Sequence, residues 1–183
     1  MIVRKSLVTC RCSRMFVTFA ASIILTYAMR TNLSSHIFRK PHDGSLFVAD
    51  RIARLVEESG REGRPFVLGI VAGQSPIDVY QELVRRHRDE GLSFAHVVVF
   101  NLFEYYPMRR GQRGTIDMLH EMLLDHIDIL PENIHTIDGT LDKSRVMEAC
   151  AAYDALIDSV GGIDYQLLGI GRAGNIGFNE PGT

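Results

Sequence analysis

From Ser35 onward, short apolar runs alternate with longer segments of helical spacing. That alternation constrains the chain to an α/β fold: a mostly parallel, Rossmann-like sheet with helices on both faces. Phe66–Val71 is a continuous apolar run of the kind found in a buried parallel strand. Val97–Phe100 and Tyr165–Ile170 read as further strands, and so do Ser35–Phe38 and a short stretch from Ile134 to about Ile137. Between them, Asp43–Glu58 places Leu46, Phe47, Ala49, Ile52, Leu55 and Val56 at helical spacing. Pro76 opens a second helix to about Arg88, as proline does at a first helical position, and Gly91 closes that unit. Thr115–His126 carries Ile116, Leu119, Leu123 and Ile127 on one side, and Asp142–Val160 ends at Gly161 and Gly162.

The chain has 183 residues, 46% of them hydrophobic, which suffices for one domain with a real core. A net charge of −2 gives no global field for nucleic acid. Cys10, Cys12 and Cys150 have neither zinc spacing nor an even-numbered disulfide framework, so a reduced, cytoplasmic protein is the default. The start of the chain is different in kind. Residues 1–42 carry Arg4, Lys5, Arg11, Arg14, Arg30, Arg39 and Lys40 and no acid. Met15–Met29 is an uncharged apolar run, shorter than the roughly 18–20 residues of a membrane span. It suits a signal-peptide core or a transit peptide, which would make the protein exported or organelle-targeted. It equally suits upstream sequence translated from a wrong start codon. Residues 1–34 are therefore set apart from a folded domain at 35–183, for which no membrane contact is expected.

In open parallel sheets, ligands bind beyond the carboxyl ends of the strands, beside a switch point in strand order. Three segments fall at such ends. The first is the turn Ala72, Gly73, Gln74 and Ser75 before Pro76. A small-residue turn there lets backbone N–H groups and a helix N-terminus face an anion. Ser75 either caps the helix or bonds a phosphate. The second is Asn101–Met108, where Glu104 is the sole acid among aromatic residues. Burial at that place would suit a general acid or base, whereas a solvent-facing Glu104 would be inert. The third is the glycine-rich stretch 169–182, with Arg172, Asn175, Asn179 and Glu180 as its polar groups. The three should converge in space. His87, His96, His120, His126 and His135 form no ligand spacing, so no metal is expected. Arg85, Arg86 and Arg88 read as a solvated helix end.

The three loops, in this order, resemble the glucosamine-6-phosphate deaminase family. The likeness runs from about Ile37 to Thr183 and includes the stretches 92–101, 125–134 and 177–181. The resemblance implies conversion of glucosamine 6-phosphate to fructose 6-phosphate and ammonia, with no metal or redox cofactor. It implies a phosphate held by Ala72, Gly73, Gln74 and Ser75. It further implies an Asp base in the second loop, and an Asp-Gly-His stretch with a following Glu that opens the sugar ring and handles the amine. Of those four acid–base positions, Glu180 matches. Phe103 stands at the second-loop Asp, Ala173 at the third-loop Asp and Asn175 at the His. Phenylalanine takes no proton, and asparagine hydrogen-bonds without shuttling one. Glu104, next to Phe103, is the substitute base to consider. The family also continues well past this chain's last residue and commonly forms homo-oligomers.

Three functional readings follow. The chain is a deaminase with impaired activity, or an inactive sugar-phosphate-binding or sensor domain, or a relative of the 6-phosphogluconolactonases that share the fold. The phrase Phe178, Asn179, Glu180, Pro181 favours the deaminase side over the lactonase side.

Overall fold

Five consecutive buried residues at Phe66–Ile70 and again at Val97–Asn101 can only be a pair of strands covered on both faces, and the computed structural model, which describes residues 36–170, pairs them in parallel from Phe66↔Val97 to Ile70↔Asn101. In chain order the elements are α1 (Pro41–Arg61), β1 (Phe66–Ile70), α2 (Ile77–Glu90), β2 (Val97–Asn101), α3 (Thr115–Met122), β3 (Ile134–His135), α4 (Lys143–Ser159) and β4 (Tyr165–Gln166). Short 3-10 turns occupy Leu124–His126 and Pro131–Asn133. The sheet order is β3-β2-β1-β4, with every pairing parallel.

The strand residues sort by parity onto two cores. Phe66, Leu68, Ile70, Val97 and Val99 pack with Val48, Ile52 and Val56 of α1, with Tyr80 and Leu83 of α2, and with Leu119 of α3. Val67, Val98 and Phe100 face the other way, against Tyr153, Leu156 and Ile157 of α4. Helices thus cover both faces, as the alternation of the sequence requires. Asp164, just before β4, accepts the Val67 N–H at 2.8 Å and sits 3.3 Å from Arg64. This ties the entry of β4 to the start of β1.

Four local expectations are corrected. Residues 36–38 form no strand (Ser35 lies outside the described residues). The rings of His36 and Phe38 instead sit 4.6 and 5.4 Å from the ring of Phe47 on α1, so aromatic packing on a helix takes the place of ladder pairing. Pro76 is the N-cap of α2, not its first helical residue, and Ser75 lies outside the helix. The helix from Thr115 breaks at Leu123, whose φ of −143° leaves the helical region, before a 3-10 turn resumes. Arg86 is not part of a solvated patch: its side chain is 19% exposed and bonds Glu82 at 2.9 Å and Asp50 of α1 at 3.3 Å.

Glu82 is the hub of that brace between α1 and α2. Hydrogen bonds from Arg85 first, then from Arg86, outweigh its burial and hold its carboxyl at about 2 against an ordinary 4.5. A depressed folded-state pKa stabilises the fold above the unfolded value, and that contribution is lost as pH falls from about 4.5 towards about 2. Arg85 is half exposed and solvent screens its share, so Glu82→Gln is expected to cost about 1 kcal/mol at neutral pH. In urea unfolding, the difference between the two proteins should shrink steadily as pH is lowered through that window.

Candidate functional site

β1, β2 and β3 step across the sheet in one direction, while β4 lies on the opposite side of β1. The switch point is therefore between β1 and β4, and the crevice expected there is bounded by the residues that follow them. Ser75, from the loop after β1, approaches Gly169: a Cβ built at Gly169 would stand 3.8 Å from Ser75 Cβ and 3.9 Å from Ser75 Oγ. The loop after β2 joins at its root. Leu102 donates its N–H to the Ile70 carbonyl at 3.0 Å, and Leu167 donates to Gly69 at 2.9 Å. Gly69 is what lets these roots meet. A Cβ at Gly69 would lie 3.0 Å from Leu102 and 3.3 Å from Gln166. The roots of the three loops therefore share one edge. Of the third loop, Ala173, Asn175 and Glu180 lie outside the described residues.

The first loop has the features of an anion cradle. Among the described residues, the N–H groups of Ala72, Gly73, Gln74 and Ser75 donate to no acceptor. Gly73 has a φ of 148°, a backbone state suited to glycine. The α2 N-terminus follows at once, and among the described residues no side chain caps it and the Ser75 hydroxyl bonds none of them. Gln74 and Ser75 are both exposed.

The second loop is held from below and from the side. Asn101 is fully buried at the end of β2, and its Nδ2 donates to the hydroxyls of Thr115 at 2.9 Å and Thr136 at 3.2 Å. The Thr115 hydroxyl in turn donates a hydrogen bond to the Phe103 carbonyl at 2.7 Å. The Tyr153 hydroxyl from α4 contacts the carbonyls of Asn101 and His135, each at 3.0 Å. Burial keeps that phenol protonated by pushing its pKa up. On the outer side, Met108 donates its N–H to the Gly139 carbonyl at 2.8 Å, and a Cβ at Gly139 would collide with the Tyr105 carbonyl.

Glu104 does not stand free among its aromatic neighbours. Its carboxylate accepts the N–H of Thr115 at 2.7 and 3.0 Å, of Ile116 at 3.2 Å and of Tyr105 at 2.8 Å. Two of these donors are the first N–H groups of α3, which lack helical partners. Sequence reading singled out Glu104 but missed Asn101, Thr115 and Tyr153. The one available signal was a polar Asn ending a run of buried apolar residues.

The model of the glucosamine-6-phosphate isomerases/6-phosphogluconolactonase family matches residues 41–176. A glucosamine-6-phosphate deaminase-like protein of Bacteroides thetaiotaomicron is 47% identical over 152 residues, covering 82% of this chain and 23% of that one. Glucosamine-6-phosphate deaminase 2 of Giardia intestinalis is 41% identical over 82% of this chain and 55% of its own length. The solved structure of a monomeric glucosamine-6-phosphate deaminase superposes with a TM-score of 0.72 at 34% identity, covering 80% of this chain and 58% of that one. A 6-phosphogluconolactonase from Trypanosoma brucei superposes at a TM-score of 0.63 and 21% identity, over 81% of this chain and 63% of that one, a likeness of fold. The chain spans about half the length, or less, of these curated relatives. Among the described residues, no helix is long and apolar enough to cross a membrane.

Proposed function

We propose that this chain, which belongs to the glucosamine-6-phosphate isomerase/6-phosphogluconolactonase family, binds a phosphorylated amino sugar in the crevice between the ends of β1 and β4. The observation that carries this reading is the cluster of N–H groups at Ala72–Ser75 that find no acceptor among the described residues, placed at the α2 N-terminus, with Ser75 beside Gly169. A phosphate dianion would accept those donors and gain the positive end of the helix. Ser75 would add its hydroxyl. The sugar would then extend toward residue 103 and toward the third loop, where Ala173, Asn175 and Glu180 belong by their place in sequence.

The deaminase relatives favour glucosamine 6-phosphate as the ligand and its conversion, with water, to fructose 6-phosphate and ammonia as the reaction. In this reading Glu180 remains as an acid–base group. Phe103, Ala173 and Asn175 leave the other proton-transfer positions without a titrating side chain, so binding persists while turnover is reduced. Residues 35–183 form the sugar-phosphate unit, residues 1–34 are additional to it, and the protein works in the cytoplasm.

Thermal unfolding with ligand tests the reading. Glucosamine 6-phosphate is expected to raise Tm, with a stabilisation of about 2.7 kcal/mol at a hundred times Kd. Unphosphorylated glucosamine should leave Tm unchanged. No shift at millimolar sugar phosphate, or an equal shift by both sugars, overturns phosphate binding at this crevice.

A further inference from the structure

Tyr80 lies wholly buried in α2, one turn beyond the loop of Ala72, Gly73, Gln74 and Ser75. Its hydroxyl donates to the Val71 carbonyl at 2.7 Å and receives the Val71 N–H at 3.3 Å. Val71 is the first residue past β1 and is 4% exposed. The ladder between β1 and β2 ends one residue earlier, at Ile70↔Asn101, and Leu102 takes the Ile70 carbonyl. Both polar groups of Val71 have therefore left the sheet while still buried, where a missing partner is costly. One phenol satisfies both.

The same residue holds the other end of the loop. The Tyr80 N–H bonds the Pro76 carbonyl at 3.0 Å. The loop from Val71 to Pro76 is thus clamped at its entry by the side chain of Tyr80 and at its exit by the backbone of Tyr80. A tyrosine ring is rigid, with two rotatable bonds, so the ring fixes the span between the strand end and the helix start. Burial pushes the phenol pKa up, against the opposing pull of the Val71 bond, so the hydroxyl remains a proton donor at ordinary pH.

We propose that Tyr80 is the positioning residue of the phosphate loop: its hydroxyl pins Val71 so that the N–H groups of Ala72, Gly73, Gln74 and Ser75 are already converged before an anion arrives. The proposal rests on the phosphate-binding reading above. A loop that must be ordered on binding loses affinity for whatever orders it, because the conformational freedom is then surrendered at that moment.

Tyr80→Phe removes only the hydroxyl. Ser59→Ala serves as the control for general destabilisation. Ser59 is buried at the far end of α1, where its hydroxyl bonds the Val56 carbonyl at 2.8 Å and lies 3.1 Å from His96, just before β2 and hence at the amino edge of the sheet. Binding of inorganic phosphate and of glucosamine 6-phosphate is measured by calorimetry at a temperature where all three proteins are folded. Tyr80→Phe is expected to weaken both ligands by the same factor, roughly tenfold or more, and to speed amide exchange at Val71. Ser59→Ala should bind both as the unaltered chain does. An unaltered chain that binds phosphate, with Tyr80→Phe binding equally well, overturns the positioning role and leaves the phosphate site standing. Equal losses in Tyr80→Phe and Ser59→Ala overturn it as well, since the effect would then be general. An unaltered chain that binds neither ligand overturns the phosphate site and the positioning role together.

Discussion

Phe103→Asp combined with Asn175→His is expected to raise ammonia release from glucosamine 6-phosphate by two orders of magnitude or more over the unaltered chain. A positioned acid or base contributes about 10²–10⁴-fold, and groups acting in one relay do not combine additively. Either substitution alone should therefore recover much less than the pair. The second loop is well prepared for this exchange. The Phe103 carbonyl is held at 2.7 Å by Thr115, which is itself held at 2.9 Å by the buried Asn101. Neighbouring Glu104 is bonded to the backbone of α3. An aspartate at position 103 would thus project from a backbone that is fixed on both sides, and fixed geometry is what makes a base effective. The measurement is kcat/KM for the unaltered chain, both single variants and the double variant. Robust turnover by the unaltered chain would show that Phe103 and Asn175 do not disable the relay. A double variant that binds sugar phosphate but releases no more ammonia than the unaltered chain would show that these two positions are not what limits it.

The parts of this fold that could be read from sequence are those written in local pattern. Phe66–Ile70 and Val97–Asn101 are uninterrupted buried runs, and such runs between helical segments mean parallel strands. The place of the first two loops, and of the root of the third at Leu167 and Gly169, followed from that alternation alone, because strand ends in such a sheet share one edge. His36–Phe38 misled because so few residues do not specify a partner strand, and Phe47 offered aromatic contact instead. The Leu123 break was invisible because the apolar spacing of Ile116, Leu119, Leu123 and Ile127 continues across it. In the first loop the turn at Gly73 could be read, since the backbone freedom of a glycine is local. The part played by Tyr80 could not be read, because its hydroxyl bond reaches back nine residues, to Val71. Asn101 and Thr115 are joined across fourteen residues, and Tyr153 reaches Asn101 from fifty-two residues away. Hydrogen bonds of that reach leave no periodic trace in a sequence.

Glu104→Ala is expected to lower stability by about 2–3 kcal/mol, because hydrogen bonds to a charged acceptor each contribute about 1.5–3 kcal/mol and several are lost together. The carboxylate takes the N–H groups of Thr115, Ile116 and Tyr105, and Thr115 is 1% exposed, so no water replaces the lost acceptor at that donor. It also places a negative charge at the positive end of α3. The fit is close: a Cβ built at Gly114 would stand 2.6 Å from Glu104 Oε2, so Gly114→Ala should push the carboxylate away and reproduce part of the loss. Glu104→Gln keeps one accepting oxygen and should cost roughly half as much. The same glutamine variant separates the two roles open to this residue. In the Phe103→Asp, Asn175→His background, a clamp predicts that Glu104→Gln lowers turnover by less than about tenfold and leaves the shape of the pH–rate profile unchanged. A base predicts a loss of about 10²–10⁴-fold and the disappearance of one limb of that profile. With its oxygens already given to the first turn of α3, Glu104 is expected to behave as the clamp, holding position 103 in place without itself touching the sugar.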